Sequence, residues 1–251
     1  MSERSHSVAG RPALEEVDLR EHGAKGTTSD RRLFIQFQAF SRMDGQPAPT
    51  TQDLVAALSN KSTDLVLYED ARDPRGFGLA LASEDPGVIM DVTRQVFADP
   101  AWQGLTIKPE YTMMGRTYAL GYEADLEDTL LQRPRRHLLE AEWPWCVWYP
   151  LRRAGAFETL EKDEQRAILG EHATIGMSWA RSGVARDIRL ACHGLAGEDN
   201  DFVLALFAHE VHPLSALVNR MRSTVQTSRY LEKLGPFFLG RAVWRSTTLQ
   251  G

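Results

Sequence analysis

The 251-residue chain has only two cysteines, Cys146 and Cys192. Both sit in apolar, strand-like runs at a spacing that matches no metal or redox motif. They read as buried free thiols, which suits a reducing compartment. No segment reaches the roughly 18 uninterrupted apolar residues of a membrane span. The first residues, MSERSHSVAGRPALEE, lack the apolar core of a signal peptide. Positive charge is not in excess either: the net charge of −5 argues against nucleic acid or an anionic membrane as partner. There is no HExxH, no GxSxG and no nucleotide-binding glycine loop. GPFFLG at 235–240 lacks both the spacing and the basic residue of a phosphate loop. A cytoplasmic protein with no membrane span and no nucleic-acid partner is expected.

What remains is ordinary globular composition, 43% hydrophobic and 25% charged. Residues 1 to about 30 are polar and without periodicity, and read as a flexible tail. Strands are expected at 32–40, 65–68, 76–82 and 111–120, with helices at 51–58 and 85–97. The order then repeats: strands at 143–153, 187–192, 201–207 and 237–244, with helices at about 160–181 and 213–223. FGLALASEDP at 77–86 and FVLALFAHEVHP at 202–213 each precede an amphipathic helix half a chain apart, as an internal duplication would place them. The β-α-β-β-α-β order is the ferredoxin-like motif, whose sheet leaves one apolar face to be covered. The expected fold is therefore α+β: two ferredoxin-like halves, at about 31–135 and 136–251, packed together and able to enclose a pocket.

Six of the seven histidines read as surface or structural: His6, His22, His137, His193, His209 and His212. His172 differs. It falls with Ile168, Ile175 and Trp179 on one helix face, so it points toward the core. Gly176, one turn onward, leaves room beside the imidazole. A satisfied core histidine is one reading of this pattern. An iron ligand beside a flat partner such as a porphyrin is the other. On the strand at 143–153, alternation puts Trp145, Val147, Tyr149, Leu151 and Arg153 on one face. An arginine adjoining an apolar pocket anchors carboxylates well, although a half-buried strand ending in solvent would look the same. Arginines at 133, 135 and 136 and at 152 and 153 form local clusters. In an acidic protein these suit a small acidic ligand better than a polyanion.

Four segments carry a family resemblance: WYPLRR at 148–153, EHATIGMSWA at 171–180, GLAGEDNDFVLALF at 194–207 and RYLEKLGPFFLG at 229–240. In order and separation they are similar to the chlorite dismutase and coproheme decarboxylase family of haem enzymes. The resemblance covers element order over about 32–245, with the specific motifs in 143–245. It implies a dimeric α+β barrel, a homopentamer, and an iron porphyrin in the C-terminal half. His172 matches the axial iron ligand of the family, and Tyr149 matches the oxidisable tyrosine of the decarboxylases. Arg153 falls at a propionate contact. Arg135 falls near another, a role that Arg133 or Arg136 could also fill.

The activity this implies is coproheme decarboxylation. Iron-coproporphyrin III would be substrate and cofactor, hydrogen peroxide the oxidant and haem b the product. A coproporphyrin ferrochelatase is a plausible transient partner. Chlorite dismutase activity, splitting chlorite to chloride and dioxygen, is the alternative enzyme. A non-catalytic haem-binding or haem-free barrel is a third reading. The chain departs from the family pattern in three places. Ala185 stands at the usual distal position, leaving Arg186 or Arg189, or neither, as distal residue. MRSTVQTSRY at 221–230 lacks the usual acidic pair, so no carboxylate partner for His172 is evident. Phe157 replaces a common tryptophan.

Overall fold

The structure, a computed structural model, describes residues 16–46 and 49–247. Of the expected tail, residues 1–15, with His6, lie outside the described residues. Residues 16–30 are not tail throughout. β1 (Glu21–His22) and β2 (Thr28–Ser29) pair antiparallel. The Glu21 carboxylate accepts from the Arg116 guanidinium at 2.6 Å and from the Ala119 backbone N–H at 2.9 Å. Polar composition alone gives no sign of such partners, which is why this hairpin reads as tail in the sequence.

The first half runs β3 (Phe34–Arg42), α1 (Thr51–Leu58), β4 (Asp64–Asp70), β5 (Phe77–Ser83), α2 (Pro86–Ala98) and β6 (Leu105–Arg116). Local chemistry sets its helix starts. Thr50 and Asp53 form a reciprocal capping box at α1, and Asp85 caps α2 ahead of Pro86. β6 begins six residues earlier than expected and carries Pro109 within its span, a residue that a regular ladder disfavours. In the structure the β3–β6 register shifts between Phe37 and Ala39, which removes the proline from the ladder.

A connecting helix, α3 (Arg133–Leu139), leads to the second half. There follow β7 (Trp145–Arg153), α4 (Gly155–Glu158), α5 (Lys162–Ser182), β8 (Arg186–Ala191), β9 (Phe202–Ala208), α6 (Val211–Arg222), α7 (Val225–Tyr230), β10 (Leu231–Leu234) and β11 (Phe238–Arg245). Strand order is β4-β5-β3-β6 in one half and β8-β9-β7-β11 in the other, the ferredoxin-like arrangement in both. β11 pairs with β4 and β6 with β8, while β7 pairs with both β11 and β9, so the sheet closes into an antiparallel barrel.

The barrel is solid. Phe37 stacks on Trp148 at 5.0 Å and tilts against Phe238 at 4.7 Å, and Tyr68, Cys146, Ile188 and Phe207 complete a fully buried interior. Both cysteines are buried and free, and burial pushes their thiols up, Cys192 to about 12. Any ligand space must therefore lie outside the barrel, between sheet and helices. Among the described residues no helix is long and apolar enough to cross a membrane.

Candidate functional site

Register decides which side chains of the second half face that space. The cross-strand rows Asp187–Leu206–Val147 and Arg189–Leu204–Tyr149 alternate with Arg186–Phe207–Cys146 and Ile188–Ala205–Trp148. The second pair of rows belongs to the barrel interior and the first to the outer face beneath α5 and α6. Between that outer face and the two helices lies an open cleft with about 1120 Å3 of empty space, part of it solvent. Tyr149, Leu204 and Leu206 form its sheet wall, and His172, Gly176 and Trp179 its helix wall.

The helix face expected from the sequence is therefore present. Ile168 and Ile175 are buried, while His172 lies on the cleft. Gly176 leaves real space, since an added Cβ would meet only the Met221 Cε, at 3.7 Å. Gly183, in the left-handed conformation with φ 70°, ends α5 and lets the chain turn into β8.

His172 has a partner that the sequence did not reveal. Its Nδ1 lies 3.4 Å from Thr224 Oγ1, and that hydroxyl donates to the Met221 carbonyl at 2.8 Å. With its hydrogen so committed, Thr224 acts as acceptor for Nδ1–H, which leaves Nε2 as the basic nitrogen. Burial lowers the pKa of the imidazole, and the Arg189 charge lowers it further. The ring is thus neutral at pH 7, the form that ligates metal. Thr224 also caps α7 by accepting from the Thr227 N–H, so its place at a helix start was the only signal in the sequence.

Tyr149 is buried, with its ring 4.7 Å from that of Phe237. Burial pushes its phenol well above the ordinary value, with the Asp187 carboxylate adding to the shift and no hydrogen bond among the described residues opposing it.

The expected arginines divide. Arg135 is away from the cleft, held by Asp64 at 2.9 Å and Glu84 at 3.3 Å. Arg133 lines the cleft instead, because the turn of α3 that presents one turns the other toward β4. Arg136 pairs with Asp128. Arg153 shares the Tyr149 face but is not among the cleft-lining residues. Its guanidinium lies over the rings of Phe157 and Phe202 at 4.5 and 5.0 Å, with Glu158 3.4 Å away and its buried Nε unpartnered. Arg186 touches the cleft edge, but its row points inward. Glu140 at 2.5 Å and the Trp143 ring at 4.6 Å hold it. Arg189 faces the cleft and is half exposed, with Asp187 3.1 Å from its Nε. Asp187, unremarked in the sequence, was findable from the alternation of RDIRLA along β8.

Four further histidines have partners away from the iron-ligand position. His137 Nδ1 meets the Asp187 carbonyl at 2.8 Å, His209 stacks on Trp143, and His22 and His193 pair with Asp18 and Asp201. Among the described residues no cluster of three or more His, Cys, Asp or Glu could hold a metal ion. A lone neutral imidazole suits iron already held in a macrocycle, where the protein need supply only an axial ligand. The open space at Gly176 and the apolar walls fit the flat ring of such a group.

Known proteins share this fold. No curated protein matches the sequence. Among solved structures, a haem-binding protein from Thermus thermophilus superposes with a TM-score of 0.68 at 14% identity, over 84% of this chain and 91% of that one. An arginine-to-alanine variant of chlorite dismutase from Candidatus Nitrospira defluvii superposes with a TM-score of 0.66 at 12% identity, over 85% and 92%. At these identities the likeness is one of fold. The sequence itself matches the family described as chlorite dismutase over residues 51–243, which spans both halves and every cleft residue named above; the chain belongs to the chlorite dismutase family.

Proposed function

We propose that the cleft binds an iron porphyrin and that the protein is a coproheme decarboxylase, converting iron-coproporphyrin III to haem b with hydrogen peroxide. The observation that carries this reading is the buried Tyr149 phenol, without a hydrogen-bond partner among the described residues, on the wall facing His172. His172 would hold the iron through the nitrogen that Thr224 leaves basic, and the bound porphyrin supplies one-electron chemistry driven by peroxide.

The protein's part is positioning and proton control. Its phenol pushed upward, Tyr149 stays protonated at neutral pH and must release its proton together with an electron to become a neutral radical. That radical takes a hydrogen atom from the propionate β-carbon, which restores the phenol. Loss of carbon dioxide and of one further electron to the oxidant then leaves a vinyl group. Arg133, lining the same cleft, is suited to fix a carboxylate so that the β-carbon lies near the phenol. This replaces the expected Arg135 with Arg133. Arg153 can still serve through its unpartnered Nε if its guanidinium swings off the Phe157 ring.

The dismutase reading has one observation in its favour: Arg189 is a cleft-facing cation with only one ion-pair partner among the described residues. Arg186, the cation first expected in that role, is engaged by Glu140. Oxidation of coproheme by the Tyr149→Phe variant separates the readings. The ring and its packing on Phe237 remain, so folding and porphyrin binding should persist, a hydrogen bond being worth only about 1 kcal/mol. Peroxide-driven loss of the two carboxyl groups, followed by porphyrin mass, should nearly stop. A variant that decarboxylates at the wild-type rate refutes the assignment. Wild-type protein that leaves coproheme intact but evolves dioxygen from chlorite is a dismutase.

A further inference from the structure

The cleft holds one acidic side chain that the decarboxylation outlined above does not use. Asp187 stands on β8 in the outward row with Leu206 and Val147, one row from Arg189, Leu204 and Tyr149. Two strand spacings of about 4.8 Å separate the β8 and β7 members of a row. Asp187 and Tyr149 line one cleft, with α5 on its other wall. The Asp187 carboxylate acts through its charge on both walls, opposing ionisation of Tyr149 and favouring protonation of His172. Among the described residues only Arg189 Nε engages it, at 3.1 Å, and 40% of its side chain is exposed to the cleft and solvent. A carboxylate set beside Leu204 and Leu206 adds nothing to packing. A solvent-facing partner would serve a purely structural Arg189 equally well.

We infer that Asp187 is the proton acceptor for the oxidant, with Arg189 as the cation that captures the anion formed. The inference rests on the iron-porphyrin reading of the cleft. In the step, the O–H bond of hydrogen peroxide breaks and its proton goes to a carboxylate oxygen of Asp187. A neutral carboxylic acid and a hydroperoxide anion result, so charge and atoms balance and nothing is oxidised. A carboxylate is a weak base toward peroxide, and the transfer proceeds only where the anion is stabilised as it appears. The Arg189 guanidinium, whose two terminal nitrogens make no ion pair among the described residues, provides that stabilisation.

Asp187→Asn keeps size and hydrogen-bonding capacity and removes the basic oxygen. It is tested in the full chain loaded with ferric porphyrin, by the rate at which small ligands associate. Hydrogen cyanide, like peroxide, must lose a proton to bind, whereas imidazole binds without losing one. The variant should take up porphyrin with wild-type affinity and bind imidazole at the wild-type rate. Its association with peroxide and with cyanide should both slow by about 100-fold. Asp187→Glu should recover part of that loss. Unchanged cyanide and peroxide rates overturn the assignment, and so does an equal fall for imidazole, which would mean a disturbed cleft. Failure of the wild-type chain to bind porphyrin appears at the loading step and removes the cleft reading itself.

Discussion

Gly176 offers a direct measure of whether the cleft is ligand space. It sits in the interior of α5, where glycine costs about 1 kcal/mol relative to alanine. An alanine Cβ there would meet only Met221 Cε, at an ordinary van der Waals distance of 3.7 Å. Gly176→Ala should therefore stabilise the ligand-free protein by about 0.5–1 kcal/mol, a rise in Tm of roughly 1–4 °C for a chain of this size. Gly176→Leu keeps the gain in helix propensity but fills the space beside His172. A porphyrin stacked along α5 would have to shift, at a cost of about 1–3 kcal/mol, or roughly a 5- to 150-fold weaker Kd. Calorimetry of the ligand-free variants and absorbance titration with ferric coproporphyrin read the two effects separately. The diagnostic result is opposite signs, with higher stability and weaker porphyrin binding in one variant. If Gly176→Leu binds porphyrin within twofold of wild type, the ring does not lie against α5 and His172 is not its ligand.

Two further outcomes follow from the charges around the cleft. Arg133→Ala should weaken binding of coproheme, with its four carboxylates, more than binding of haem b, by about 1.5–3 kcal/mol if its contact is sheltered. Arg135→Ala, which breaks the pairs with Asp64 and Glu84, should leave both affinities unchanged and lower only stability; equal losses from the two variants would deny Arg133 its role. The stability of the ligand-free protein should also fall as pH drops below about 6.5, the ordinary histidine value. Burial depresses the pKa of both His172 and His137, so across that window the unfolded chain binds more protons than the folded one. Denaturant titrations of His172→Gln should show a shallower decline, and a decline as steep as wild type's would mean that His172 is not the buried neutral imidazole described.

Much of this was legible in the sequence because periodicity survives packing. The amphipathic stripe of α5 and the alternation along β7 follow from backbone geometry alone, so Ile168, His172, Ile175 and Tyr149 stand on the faces that spacing assigns them. Partners across the chain were not legible. Nothing local shows that Asp64 and Glu84 capture Arg135, that Glu140 and Trp143 hold Arg186, or that Thr224 supplies the acceptor for His172. Each of those contacts joins elements far apart along the chain. The misplaced start of β6 has a different origin. Pro109 is disfavoured in a regular ladder, and only the observed irregularity opposite β3 accommodates it.

The two halves show how a duplicated fold comes to have a single site. Leu79 and Leu81 in β5 correspond to Leu204 and Leu206 in β9, and all four face outward toward helices. In the first half the short α1 and α2 press Leu54, Leu58, Ile89, Val92 and Val96 onto that face, and Phe40 and Trp102 fill the remainder, so Leu79 and Leu81 are fully buried. In the second half the longer α5 crosses the sheet with an imidazole and a glycine where packing would call for branched apolar residues. α6 supplies Leu214 and Leu217 to the cover, and Leu204 remains partly open on the cleft wall. An unfilled face of this kind forgoes the roughly 1.5–3 kcal/mol that each buried large aliphatic side chain contributes. Four features line that hollow cleft: a neutral imidazole, a phenol with no hydrogen bond among the described residues, an aspartate–arginine pair and a second arginine from α3. None of these groups stands among the residues described on the equivalent face of the first half, so the proposed chemistry is assigned to the second.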